Sequence, residues 1–194
     1  MTRAGGRVAA LVLAAGASRR FGAVKLLAPL DGRPLLARSL AVAEAVLPGR
    51  VTLVLGAHGN DLAPHADGAR VIHNPRWAEG LSSSIAAGVA SLGEEVDHVL
   101  LLLADQVALT PTHLAGLVDH HLSRVHPGIS CARYGGVLGI PALFAREWFP
   151  TLLNLRGDRG ARDLLRSDWA RPAVVDMPEA AIDIDTPEDL DSYR

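Results

Sequence analysis

The sequence predicts a three-layer α/β fold around a mainly parallel sheet, on three observations. Strand-sized apolar runs alternate with helical stretches through at least the first 126 residues, the order that builds a parallel sheet covered on both faces. The runs Val8 to Ala15, Val51 to Leu55 and Val96 to Leu103 carry almost no polar face, as expected of strands buried on both sides. Gly16 and Gly56 close the first two runs, where a chain leaving a strand must turn.

Between the first two strands, Pro34 opens a helix to Val46, with Pro at a first-turn position and Pro48-Gly49 as the stop. A short strand over Arg70 to His73 follows, then a helix from Leu81 to Leu92. After the third run, Thr110-Pro111 starts a helix expected to reach His126. Ile129 to Tyr134 and Ala142 to Phe144 read as strands flanking a bend at Gly135, Gly136 and Gly139. Helices over Ala145 to Leu153 and Gly160 to Ser167 come next, then short strands over Ala173 to Val175 and Ala181 to Ile184. Thr186 is the expected N-cap of a final helix, with Pro187 at its first position.

A chain of 194 residues fits one domain, assigned to 1–194, and can bury a core without disulfides. The net charge of −2 gives no overall attraction for nucleic acid or an anionic membrane. Any phosphate binding must therefore rest on local cations. Cys131 is the only cysteine, which excludes an internal disulfide. With no signal-like start, the chain reads as cytoplasmic. The longest apolar run, Val99 to Ala104, is far shorter than a membrane span.

Ligands of such folds sit outside the carboxyl ends of the strands. The first strand runs directly into Leu13-Ala14-Ala15-Gly16-Ala17-Ser18-Arg19-Arg20-Phe21-Gly22-Ala23-Val24-Lys25. Small residues let backbone N–H groups approach phosphate oxygens, and fixed cations offset their charge. The segment is neither a Walker A loop nor GxGxxG, and the chemistry alone equally allows a solvated basic loop. Gly80 precedes a helix whose first turn holds Ser82, Ser83 and Ser84. That offers free N–H groups and hydroxyls at a strand end, or simply a well-capped helix.

Asp105 follows the most hydrophobic strand, where an α/β enzyme would hold a metal. Mg²⁺ takes one or two carboxylates with phosphate oxygens and water. Asp185, in Asp183-Ile184-Asp185-Thr186-Pro187, reads as a second ligand or as a charge stabilising the helix that follows. His120, His121 and His126 do not share one helix face, which argues against a zinc site and for a solvated surface.

Six segments, in order, resemble the molybdenum cofactor cytidylyltransferases. LAAGASRRFGAVK is similar to that family's L-A-A-G-x-S-x-R-M-G-x-x-K, with Phe21 for Met. Asn74-Pro75-Arg76-Trp77 through Ser84 resembles its N-P-x-W stretch. Asp105-Gln106 stands where the family has Gly-Asp-Gln-Pro, here with Ala104 and Val107. The segment around Gly136 and Gly139 resembles G-x-x-G-H-P, with Ile140 for His. Leu155 to Arg162 matches L-x-G-D-x-G-A-R, and Asp183 to Leu190 matches the D-I-D-T-P-E-D-L ending.

The resemblance implies a Rossmann-like nucleotidyltransferase fold and transfer of CMP from CTP to molybdopterin, with Mg²⁺ as cofactor. It implies catalytic roles for Arg20, Lys25 and Asp105, and Mg²⁺ on Asp105 and Asp185. Leu13, Ala14, Ala15, Gly16, Ser18, Arg20, Lys25, Gly80 and Ser83 would surround the nucleotide. Gly136, Gly139, Asp158 and Arg162 would face the acceptor. Ala15, where related guanylyltransferases carry Gly, leans the base toward cytosine. The alternatives are GTP, another phosphorylated acceptor, or a non-catalytic cofactor carrier that serves a molybdoenzyme. A glycosyltransferase would want Asp-x-Asp where this chain has Asp105-Gln106-Val107.

Overall fold

The computed structural model describes residues 7–157 and 160–193. The first strand, β1 (Val8–Ala14), is buried along its whole length. A two-residue hairpin, β2 (Pro29–Leu30) and β3 (Arg33–Pro34), leads into α1 (Leu35–Val46). Then come β4 (Val51–Leu55), the single turn α2 (Gly59–Leu62), β5 (Arg70–His73), α3 (Leu81–Ala90) and β6 (His98–Leu103). α4 (Pro111–Leu122), β7 (Ile129–Tyr134), β8 (Val137–Ala145), α5 (Phe149–Leu153), α6 (Gly160–Arg166), β9 (Ala173–Asp176) and α7 (Pro187–Tyr193) complete the chain.

The strands form a seven-stranded sheet in the order β5-β4-β1-β6-β8-β7-β9. Pairings β5–β4, β4–β1, β1–β6 and β7–β9 are parallel, and only β8 runs against its neighbours. The period-two alternation of a strand sorts the core into two layers. Val8, Ala10, Val12 and Ala14 of β1 pack with Leu36 and Leu40 of α1, Leu114 and Leu117 of α4, and Leu190 of α7. Ala9, Leu11 and Leu13 face the opposite way, onto Ile85 and Val89 of α3, Leu152 of α5 and Leu164 of α6. This is the three-layer arrangement expected. Among the described residues no helix is long and apolar enough to cross a membrane.

Several expectations change. The β2–β3 hairpin was not anticipated, although Asp31-Gly32 between its strands, both at positive φ, is a type I′ turn pair legible in sequence. α4 stops at Leu122, four residues early. The strand expected at Ala142 to Phe144 lies near the C-terminal end of the longer β8, and the bend narrows to Gly135-Gly136, both at positive φ. Residues 181–184 form no strand. A 3₁₀ turn over Pro178–Ala181 and one isolated bridge from Asp183 to Gln106 take its place. Thr186 does cap α7: its Oγ1 accepts from Asp189 N at 3.2 Å, and Asp189 Oδ2 accepts from Thr186 N at 2.8 Å.

The histidine reading also needs correction, because His121 is fully buried while His120 and His126 are exposed. Its Nδ1 lies 2.9 Å from Ser130 Oγ and its Nε2 lies 3.1 Å from His98 Nδ1. Burial, then His98, Arg124 and His120, push the His121 pKa down to about 4. The unfolded chain therefore binds this proton more readily, and stability falls as pH drops from about 6.5 to 4. A shift of this size is worth on the order of 3 kcal/mol. Urea midpoints between pH 7 and 4 should fall less steeply in His121→Gln; equal slopes would remove this histidine as a source of acid sensitivity.

Candidate active site

The strand order reverses direction beside β1, with β4 on one side and the later β6 on the other. Such a switch point leaves a crevice beyond the carboxyl ends of the two diverging strands. A cleft of about 460 Å³ lies there. Its walls are the segment leaving β1 (Leu13 to Arg20, with Lys25), the end of β6 (Leu103 to Asp105), the start of α3, and Asp185.

Lys25 organises the charges. Its Nζ donates to Asp105 Oδ2 at 2.8 Å and to Asp185 Oδ1 at 3.1 Å. Arg20 Nη2 reaches the other oxygen of Asp185 at 2.6 Å. Burial alone would lower the Lys25 pKa, but Asp105 and then Asp185 outweigh it, and the ammonium is held above the ordinary lysine value. Ser18, at φ +50, accepts from the Lys25 backbone N–H at 3.3 Å and so ties the two ends of the loop together. Asp185 is brought 160 residues along the chain by the docking of 183–185 on β6: Gln106 bridges Asp183 and Ile184 N donates to Asp105 O. Gln106 reinforces this, its Nε2 donating to the carbonyls of Ile140 and Ala180, both at 2.8 Å. Sequence reasoning gave Gln106 no role; a polar residue behind a buried strand was the available signal.

Asp105 Oδ1 is buried with no hydrogen-bond partner among the described residues. A buried acceptor without a donor is costly, and a divalent cation would satisfy it. Among the described residues no three His, Cys, Asp or Glu side chains gather as a self-sufficient metal site. Two carboxylates at an open cleft suit Mg²⁺, which completes its shell with phosphate oxygens and water. Asp183 adds nearby negative charge: burial, then Asp185 and Asp105, push its carboxyl above the usual range.

The far wall follows from close packing. A Cβ on Gly56 would come within 2.6 Å of both the Ala15 carbonyl oxygen and Trp77 Cβ, and within 2.8 Å of Ala15 Cβ. Only glycine allows Ala15 and Trp77 to meet here. Gly56→Ala is therefore expected to weaken nucleotide binding roughly tenfold by displacing that wall, measured by calorimetric titration. Unchanged affinity would mean that the wall does not touch the nucleotide.

Gly80 holds φ +102 before α3 and lines the cleft. Ser83 does not line it: its hydroxyl donates toward the Arg76 and Gly80 carbonyls and accepts from Asn74 Nδ2 at 2.8 Å. Ser84, one residue on, faces the cleft instead. Leu13, Ala14, Ala15, Gly16, Ser18, Arg20, Lys25, Asp105 and Asp185 are brought together as the sequence suggested.

The acceptor-side residues are more scattered. Gly136 is exposed at the tip of the β7–β8 hairpin, and Arg162 is exposed on α6. Gly139 is buried, with the Tyr134 hydroxyl packed over it, so it offers no open surface to a ligand. Asp158 lies outside the described residues. Tyr134, which was not singled out, feels both Arg162 and Asp105: burial raises its phenol, Arg162 opposes this, and Asp183 and Asp105 add to it. Ile140 is buried in the core layer under α3 and α5.

A glycine-bearing loop with buried lysine and paired carboxylates at a switch point defines a nucleotide-handling α/β protein. Residues 10–174 match the MobA-like NTP transferase domain, and the chain belongs to that family of nucleotidyltransferases. It is 33% identical to purine catabolism protein PucB of Bacillus subtilis, over 94% of this chain and 93% of that one. It is 26% identical to the molybdenum cofactor cytidylyltransferase of Escherichia coli, over 93% and 92%. Among solved structures, Rv0371c of Mycobacterium tuberculosis superposes with a TM-score of 0.84 at 26% identity, covering 97% of this chain and 98% of that one. A second structure of Rv0371c, in complex with manganese, gives a TM-score of 0.78 at 25% identity, over 96% and 97%.

Proposed function

We propose that this chain acts as a single cytoplasmic domain that transfers CMP from CTP to the phosphate of a molybdopterin-type cofactor, releasing pyrophosphate. The observation that carries this reading is Lys25 held between Asp105 and Asp185 at the mouth of the β1–β6 cleft. An acceptor phosphate oxygen attacks the α-phosphorus as the bond to the β-phosphate oxygen breaks, and pyrophosphate leaves with the electron pair. A phosphate nucleophile is already ionised, so no general base is needed. Positioning and charge neutralisation supply the catalysis.

In the resting site Arg20 and Lys25 spend their charge on the carboxylates. Triphosphate entering the cleft gives both cations a stronger partner, and they turn to neutralise the leaving pyrophosphate. Asp105 and Asp185 would then hold Mg²⁺, which supplies charge neutralisation at the phosphates; the manganese complex of Rv0371c supports a divalent cation in this fold. Ala15 and Trp77 line the cleft; Ala15, where related guanylyltransferases carry Gly, leans the base toward cytosine, and the cytidylyltransferase relative supports the same base. A recipient molybdoenzyme would take the product.

The test is pyrophosphate release from CTP and from GTP, each with Mg²⁺ and molybdenum-loaded molybdopterin. Turnover with CTP alone is expected. Turnover with GTP alone overturns the base. Silence with both, from folded protein, overturns molybdopterin as the acceptor and favours another phosphorylated acceptor or a carrier.

A further inference from the structure

A second cavity lies beside the end of β6, between α1 and the start of α4. It has a volume of about 220 Å³. Leu35, Val42, Leu102, Val107, Leu109 and Leu114 are among the apolar residues of its wall. Leu35, Arg38, Ser39 and Val42 contribute as one stripe of α1, at the spacing that places residues on a single helix face. Leu103 and Ala104 line both this groove and the nucleotide cleft, whereas Lys25, Asp105 and Asp185 line only the latter. The two spaces are thus neighbours separated by one strand end.

Three features give the groove a chemistry. Its interior is mainly aliphatic. Two arginines line it: Arg38, whose Nη1 donates to Asp31 Oδ2 at 3.0 Å, and Arg33. Arg33 is exposed, sits on the β2–β3 hairpin, and makes no ion pair among the described residues. Gln106 also lines the groove at 5% exposure, and its Oε1 has no hydrogen-bond partner among the described residues. The amide nitrogen is committed to two carbonyls, so the oxygen cannot be satisfied by flipping the amide without breaking both bonds.

We propose that this groove binds a small aromatic acid: an apolar ring system inside, a carboxylate on Arg33 and Arg38, and one N–H or O–H donor for Gln106 Oε1. Size agrees, since an apolar cavity of about 150 Å³ admits benzene and this one has room for one to two rings. Charge agrees, since a guanidinium pairs with a carboxylate through two parallel hydrogen bonds. Nothing in the proposal depends on the reaction of the neighbouring cleft.

Isothermal titration with indole-3-acetate tests it, with indole-3-acetamide lacking the charge and 1-naphthylacetate lacking the donor. Indole-3-acetate should bind saturably, about tenfold more tightly than the amide and severalfold more tightly than the naphthyl acid. Arg33→Gln should erase the preference for the acid, and Val42→Phe should abolish binding by filling the groove while leaving the thermal midpoint near that of the parent. Equal affinity for acid and amide overturns the anion, and equal affinity for both acids overturns the donor. No saturable binding to the folded parent, or binding untouched by Val42→Phe, overturns the site. Displacement of the indole by CTP with Mg²⁺ would place it in the nucleotide cleft and also overturn the proposal. Pyrophosphate release measured on the same protein reports separately on the catalytic reading.

Discussion

Asp105→Asn is expected to lower turnover by about 10²–10³-fold, the scale for losing one preorganised electrostatic stabiliser. The substitution is nearly isosteric and keeps an oxygen to accept from Lys25, whose Nζ also holds Asp185 at 3.1 Å. The fold should therefore survive, and the loss should appear in kcat rather than in the thermal midpoint. What disappears is the negative charge whose second oxygen, Oδ1, lies buried without a donor among the described residues. Asparagine places an amide there, which a cation cannot use. Single-turnover rates at saturating Mg²⁺ separate chemistry from binding. Near-parent rates under those conditions would remove Asp105 from the site of metal and phosphate.

Lys25→Met should lower kcat/KM by on the order of 10²-fold, with an opposite signature toward metal. In the parent, one ammonium neutralises two carboxylates, at 2.8 and 3.1 Å. Methionine fills the buried stem of Lys25 but leaves Asp105 uncompensated and Asp185 with Arg20 alone. Removing one partner from a largely buried pair is destabilising. The two carboxylates keep part of their exposure, so about 1–3 kcal/mol is expected. Mg²⁺ should recover much of it, because two carboxylates sharing only Arg20 attract a divalent cation that the ammonium otherwise opposes. The thermal midpoint of the variant should rise more with millimolar Mg²⁺ than that of the parent. Equal shifts would show that ammonium and metal do not share these carboxylates, and would weaken the exchange of partners proposed for the catalytic cycle.

The sequence by itself determined the layers of this protein. Continuous apolar runs at β1, β4 and β6 admit only strands covered on both faces, and the alternation with helices imposes a parallel sheet. It also singled out the loop from Leu13 to Lys25 as a candidate anion site, since small residues and cations following a buried strand are a local pattern, although the same pattern equally allowed a solvated basic loop. Local signals of the same kind were present for the Asp31-Gly32 hairpin and passed over. What the sequence left open were questions of distance. Asp185 read equally as a helix-capping charge and a ligand, and only the bridge from Asp183 to Gln106 puts its carboxylate beside Lys25. Ser83 and Ser84 were indistinguishable as neighbours on a helix; both hydroxyls accept from Asn74 Nδ2, yet only Ser84 lines the cleft. His121 read as solvated because its partners, Ser130 and His98, come from other strands. Periodicity along one chain reports which face is buried; only packing between elements decides which polar atoms meet, because hydrogen bonds require a few tenths of an ångström that no spacing rule contains.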